Sequence, residues 1–358
     1  MQDILRFFLA LSVVLFHVKH FAQQTALTSI PEDFQPPLFW LLEPIYTYGY
    51  HAVTVFFFLS GFMLASHITS ERFDHVRFMR KRLARIYPAH LISLIYMALL
   101  SLTVASTTNL NLFITYNDNI TNFLASFFLL NGLGLTKDFS FNLPSWSLSV
   151  ELLCYIVFAI LVSTCRSHLT KIFGALIVLG GSISAVNAGP MIGNVGNGLT
   201  FFFGGAVFAL VFTKRANLAK QASTWILFFL ILGSLVSFVL SINIPLGPQK
   251  FIWIFFTLPL ATAAIYYIDT YIEKKTNSAR PFKYLGLMSF SIYIWHFPVQ
   301  ASMFYLIVIL DVELTSWYNN WLTLVVYIAV SMLVAHISLK TIEKTGSNYI
   351  SPRHSRTL

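Results

Sequence analysis

Two ionisable residues in the first apolar segment, LRFFLALSVVLFHVKHF, are spaced so that they can act together. Arg6 and His17 are eleven residues apart, which on an α-helix puts them within about 20° of one face and roughly 16 Å apart along the axis. A guanidinium at one end of that wall can hold an anionic ligand whose far end reaches the imidazole. Imidazole is the side chain best suited to moving a proton near neutral pH. An interfacial arginine anchor and a histidine hydrogen-bonded to a neighbouring helix would show the same spacing.

Glu151 is the second such group. In PSWSLSVELLCY, the turn Asn142–Pro144 leads into a helix with Trp146 at the outer interface, and Ser147, Glu151 and Tyr155 follow at i, i+4 and i+8 on one face. A carboxylate at that depth is costly unless a cation or donors satisfy it, so it is a candidate for proton chemistry or a structural hydrogen-bond node. The third group is the basic run ERFDHVRFMRKRLARIYP, with Arg77, Lys81 and Arg85 at i, i+4 and i+8 and Arg80 and Arg82 beside them. Guanidinium forks grip phosphates in pairs, whereas the same charges also serve as ordinary anchoring or lipid head-group contacts. His296 and Tyr293, just before Pro298 in SFSIYIWHFP, are candidates for a cavity wall or for packing. His51 stands at the outer mouth of the second helix, and FFFLSGF places Ser60 and Gly61 in its middle, where glycine permits close helix contact. There is no nucleophile-elbow, zinc or phosphate-loop motif, and the spacing of Cys154 and Cys165 suits neither a disulfide framework nor a metal site.

The elements that must position these groups are membrane helices. Of 358 residues, 56% are hydrophobic and only 10% charged, well below the roughly 25% charged residues of a soluble domain. The mean hydropathy is +0.71. The expected class is therefore an all-α polytopic membrane protein, with no stretch left over for a soluble catalytic domain. Ten spans are expected, at 4–21, 48–69, 84–107, 142–165, 171–187, 198–213, 225–242, 250–270, 284–310 and 318–341. The first is expected to be retained rather than cleaved as a signal peptide.

The segment 122–136, broken by Asn131, Gly132 and Gly134, is only 15 residues long. If it does not cross, 19 loop Lys and Arg fall on one side, and the opposite loops carry Lys137 and Lys250. The positive-inside rule then predicts ten spans with both termini cytoplasmic and 122–136 re-entrant or interfacial. It also assigns the net charge of +9 to membrane anchoring rather than to nucleic acid. The FFFGGAVFA run places paired glycines where a neighbouring helix can approach.

In this order along the chain, the segments LRFFLALSVVLFHVKHF, TVFFFLSGFML, FMRKRLARIYP, LPSWSLSVELLCY and LGLMSFSIYIWHFP resemble the acyltransferase 3 family of bacterial surface-polysaccharide O-acyltransferases. The first segment is similar to that family's arginine–ten residues–histidine signature, carried here by Arg6 and His17. The resemblance covers essentially the whole chain and implies a membrane domain over 1–345 with a cytoplasmic basic tail at 346–358. It further implies an acyl-CoA donor, most simply acetyl-CoA, on the cytoplasmic side. The acceptor it implies is a hydroxyl of a glycan or lipid-linked saccharide, as in exopolysaccharide or lipopolysaccharide biosynthesis.

On that resemblance His17 and Glu151 are the catalytic candidates, and Arg6, Arg77, Arg82 and Arg85 the coenzyme-binding ones. His51, Ser60, Trp146, Ser147, Tyr155, Tyr293 and His296 are expected to line the cavity. No metal and no permanently bound cofactor are expected. The implied location is the bacterial inner membrane, with membrane lipids and polysaccharide-assembly proteins as further partners. The sequence IYIWHFP departs from the family's more usual Leu-Ile/Leu-His run. A transporter or flippase of a lipid-linked glycan or acyl group is the alternative, although the inverted repeats expected of that class are not visible.

Overall fold

A computed structural model describes residues 2–19, 21, 35–68, 73–108, 118–136, 139–186, 189–214, 280–312 and 320–350. The described regular structure is helical, in agreement with the composition. In chain order the helices are α1 (Gln2–His17), α2 (Phe39–Tyr48), α3 (His51–Ser66), α4 (His75–Thr108), α5 (Ile120–Phe127) and α6 (Trp146–Thr164), then α7 (Leu169–Ala185), α8 (Pro190–Lys214), α9 (Arg280–Ile309), α10 (Trp321–Ser338) and α11 (Lys344–Ile350). The π-helical turn Leu339–Glu343 joins the last two. Among the described residues six helices are long and apolar enough to cross a membrane, or seven if α2 and α3 count as one broken span. The expected spans at 225–242 and 250–270 lie outside the described residues.

Three boundaries differ from the expectation, each for a local reason. α4 begins at residue 75 rather than 84 and runs for 34 residues, about 51 Å at 1.5 Å per residue and well beyond a hydrocarbon core of about 30 Å. Its basic first turns are arginine- and lysine-rich, and these unbranched side chains propagate a helix readily. The span expected at 198–213 is the 25-residue α8. It opens on Pro190, whose missing N–H costs nothing at a helix start, and runs through the glycines at 193, 196 and 198. The last span continues through the π turn into α11, so the chain is still helical beyond residue 346.

The segment around 122–136 forms the eight-residue helix α5 and a series of turns. Eight helical residues cover about 12 Å, too little to cross a bilayer.

The chain divides into two compact units. One comprises Met1–Gln2, Val53–His75 and Leu153–Phe282. In it α3 and α8 pack backbone to backbone: Gly61 lies on the carbonyl of Phe202 and Gly205 on that of Phe58, with no room for a Cβ at either glycine. Phe203 of α8 packs on Phe173 of α7 with ring centroids 5.0 Å apart. The other unit comprises Asp3–Ala52, Val76–Leu152 and Lys283–Leu358. Its core joins Leu94, Met97 and Val104 of α4 to Phe297, Ala301 and Phe304 of α9 through Phe141. α9 is the most enclosed of the candidate spans. On α10 the exposed residues Leu322, Val325, Val326, Leu333 and Ile337 are apolar, as a lipid-facing side requires.

Candidate functional site

The last turn of α1 and the middle of α9, both in the second unit, bring two histidines together. His17 and His296 are buried. Nδ1 of His17 lies 3.3 Å from Nε2 of His296, and the ring centroids are 4.9 Å apart. Helical geometry orients each ring. His17 Nδ1 is 2.8 Å from the carbonyl of Val13, one turn back. His296 Nδ1 is 2.7 Å from the carbonyl of Tyr293 and 3.3 Å from that of Ile292.

A carbonyl only accepts, so each neutral ring carries its proton on Nδ1. The His17 Nδ1–H is then shared between Val13 O and the lone pair on His296 Nε2, and His17 Nε2 is the basic nitrogen. If that nitrogen takes up a proton, the imidazolium's Nδ1–H meets a preformed acceptor in His296. A partner that orients a histidine and stabilises its charged form is what general-base chemistry needs.

Gln300, one turn after His296, donates from Nε2 to the backbone carbonyl of His17 at 2.7 Å and is completely buried. The motif reading missed it, although its i+4 spacing from His296 was a usable signal. On the other side, Phe16 packs edge-on to His17 and meets the ring of Tyr50, which is tilted over His51 with centroids 4.0 Å apart. Lys19 Nζ sits 3.6 Å from the centre of the Phe16 ring. His51 is thus linked to His17 through two aromatic rings.

The start of α6 forms a dense polar node. The hydroxyls of Ser147 and Tyr293 are 2.7 Å apart, and the Tyr293 hydroxyl donates to the carbonyl of Pro144 at 2.9 Å. Glu151, one turn farther along α6, is half-buried and acts electrostatically on Tyr293. Asn142 donates to Ser93 Oγ at 3.0 Å and to the carbonyl of Ile294 at 2.9 Å, tying the turn before α6 to both α4 and α9. Asn131, which looked like a helix breaker, is a buried bridge. Its amide donates to Ser145 Oγ at 2.9 Å and its carbonyl accepts from Ser149 Oγ at 2.6 Å. Trp146 is half-buried beside Phe139.

The arginines occupy two places in this unit. Arg6 is half-buried on α1. On the basic end of α4, Arg77 is exposed, Arg82 is half-buried over the ring of Phe78, and Arg85 is half-buried. Ser60 and Tyr155 belong to the first unit, where their hydroxyls are 3.0 Å apart.

Across residues 3–339 the sequence matches the profile of the acyltransferase 3 family, described as an acyltransferase domain. Acyltransferase MdmB of Streptomyces mycarofaciens is 32% identical over 160 residues, a match that covers 43% of this chain. The chain spans about a third (36%) of that relative's length. No solved structure matches. Because the family match runs through both members of the histidine pair and most of the described helices, the chain belongs to the acyltransferase 3 family.

Proposed function

We propose that this protein transfers an acyl group, most simply acetyl, from cytoplasmic acyl-CoA to a hydroxyl of a cell-surface or exported glycan. The observation that carries this reading is the buried His17–His296 pair at the end of the helix that also bears Arg6. In the reaction His17 Nε2 takes the proton from the acceptor hydroxyl as its oxygen attacks the thioester carbonyl. A C–O bond forms, the C–S bond breaks, and the proton passes from the imidazolium to the departing thiolate. The products are the ester and free coenzyme A. His296 stabilises the imidazolium through Nδ1–H, and Glu151 supplies negative charge at the start of α6. The rings of Phe16, Tyr50 and His51 line up beside His17 and offer aromatic surface against which a sugar can pack.

Arg6, Arg77, Arg82 and Arg85 hold the coenzyme phosphates. These cannot enter hydrocarbon cheaply, whereas a pantetheine arm of roughly 15–20 Å can thread a protein interior over the Arg6–His17 rise of roughly 16 Å. The arrangement that suits this chemistry has ten spans, both termini in the cytoplasm and the α5 segment not crossing, in the inner membrane of a bacterium. The division of 19 loop Lys and Arg against 2 supports that topology. Purified protein incubated with radiolabelled acetyl-CoA and candidate glycans tests the reading. Label carried covalently on the sugar is expected, and coenzyme binding with no label on any hydroxyl acceptor would sink it.

A further inference from the structure

Four buried polar atoms where α4, α5, α9 and the turn before α6 meet have no hydrogen-bond partner among the described residues. They are His90 Nδ1, Ser126 Oγ, Asn142 Oδ1 and Trp295 Nε1. None of these residues is more than 7% exposed. Buried polar groups are nearly always paired, so four orphans in one corner call for a physical reason.

The neighbouring hydrogen bonds fix what each atom can do. His90 Nε2 is 2.8 Å from the carbonyl of Ser126, so it carries the ring proton and Nδ1 is an acceptor. Asn142 spends both amide hydrogens on Ser93 Oγ and the Ile294 carbonyl, which leaves Oδ1 an acceptor. Trp295 Nε1–H can only donate, and the Ser126 hydroxyl has a proton to give. His90 with Ser126, and Asn142 with Trp295, are therefore two acceptor–donor pairs. A secondary amide presents one N–H and one C=O, so each pair is complementary to one amide.

The same bonds fix the spacing. α4 and α9 run parallel, because Ser93 (through Asn142), Tyr96 and Thr107 meet Ile294, Ser302 and Tyr305 in the same order. At 1.5 Å per residue, His90 stands about 7.5 Å and Ser93 about 12 Å beyond Arg85, the last arginine of α4. Trp295 and His296, one and two residues past Ile294, follow at about 13.5 and 15 Å. The two pairs thus fall between the α4 arginines and the histidine pair, in steps about 4.5–6 Å apart. Pantetheine carries its two amides on either side of a β-alanine unit. An extended residue of about 3.5 Å plus one methylene separates them by about 5 Å.

We infer that these pairs hold the two amides of the acyl donor's pantetheine arm, His90 and Ser126 the one nearer the phosphates, Asn142 and Trp295 the one nearer the thioester. The inference rests on reading acyl-CoA as the donor with its phosphates at the α4 arginines. In the free protein the four atoms cost stability, and the arm supplies their partners, so binding recovers that cost. A thioester without the amides leaves them unpaired, which selects for pantetheine carriers.

The test uses the full chain in detergent. Calorimetry compares coenzyme A with phospho-ADP, the coenzyme's nucleotide half without the arm. Trp295→Phe removes the N–H and keeps a ring against Tyr96, whose centroid is 6.1 Å from that of Trp295. It is expected to weaken coenzyme A binding about five- to tenfold, the scale of one hydrogen bond, with phospho-ADP affinity unchanged. The unliganded protein's thermal midpoint should hold or rise, since a buried donor without a partner has gone. His90→Gln keeps a donor toward the Ser126 carbonyl, loses the Nδ1 acceptor and should show the same selective loss for coenzyme A.

Equal losses on the two probes, or unchanged coenzyme A affinity in both variants, would overturn the proposal. So would a lowered midpoint in unliganded Trp295→Phe, which would mean that the N–H is paired in the free protein. A wild-type protein that binds neither probe would refute the donor reading and this inference with it. One that binds coenzyme A but acylates nothing would refute the transfer reaction and leave this inference standing on the binding measurements.

Discussion

Replacing His296 by leucine removes the acceptor facing His17 Nδ1 while keeping an apolar side chain of similar bulk at a completely buried position. The helix carbonyls of Tyr293 and Ile292 lose only a side-chain donor, so the backbone ladder of α9 is untouched. The cost falls where His17 becomes charged. A hydrogen bond to an ionised group contributes about 1.5–3 kcal/mol. At 3.3 Å this one is long, and it shares its proton with a shorter bond to Val13 O at 2.8 Å, so the lower end, about 1.5 kcal/mol, applies. That corresponds to a fall in kcat of about tenfold. His296→Gln offers an amide oxygen in place of the imidazole nitrogen and should keep most of the rate.

The assay is acyl transfer with kcat and KM for acetyl-CoA resolved separately, on monodisperse protein whose thermal midpoint is checked. KM should stay near wild type, because no phosphate contact is touched. In a His17→Gln background the leucine should cost nothing more, since it then has no imidazolium to destabilise. Wild-type turnover in folded His296→Leu, or an equal loss in His296→Gln, would refute the account of the pair.

Other substitutions probe the surrounding structure. His17→Gln should lower transfer by roughly 10²-fold or more while acetyl-CoA still binds, and Glu151→Gln should also lower turnover in the same assay. Asn131→Ala leaves the hydroxyls of Ser145 and Ser149 without their shared partner. Unfolding in detergent should show a loss of about 1–3 kcal/mol, with coenzyme affinity unchanged. For the topology, cysteines in place of Thr115 and Ser316 should react with an impermeant thiol reagent from outside, and one in place of Asn217 should not. All three positions lie outside the described residues, and reaction at 217 would reverse the assignment.

Features carried by local spacing were legible in the sequence. Helical period places Arg6 and His17 on one wall of α1, and both lie within that helix. Glycines at mid-helix pointed to close approach, and Gly61 and Gly205 make it, each against a backbone carbonyl of the other's helix. At its start α8 begins eight residues before the expected span, where Gly196 packs against Gly180 and Ser184 of α7 and tertiary contact outweighs intrinsic preference. Asn131 was readable as an interruption but not as a bridge, because its partners Ser145 and Ser149 lie across a turn whose path the sequence does not specify.

Composition and hydrophobic period by themselves determined a helical membrane protein, since a backbone in lipid must satisfy its hydrogen bonds within each helix. The order of the motifs determined the family. Only the tertiary structure decided which polar groups meet. His17 and His296 are 279 residues apart, and Ser291 and Glu343 are 52 apart. No periodicity within one helix can register such pairs, because their contact depends on how separate helices rotate and slide against one another. The histidine pair and the serine-held carboxylate of Glu343 both follow from those meetings.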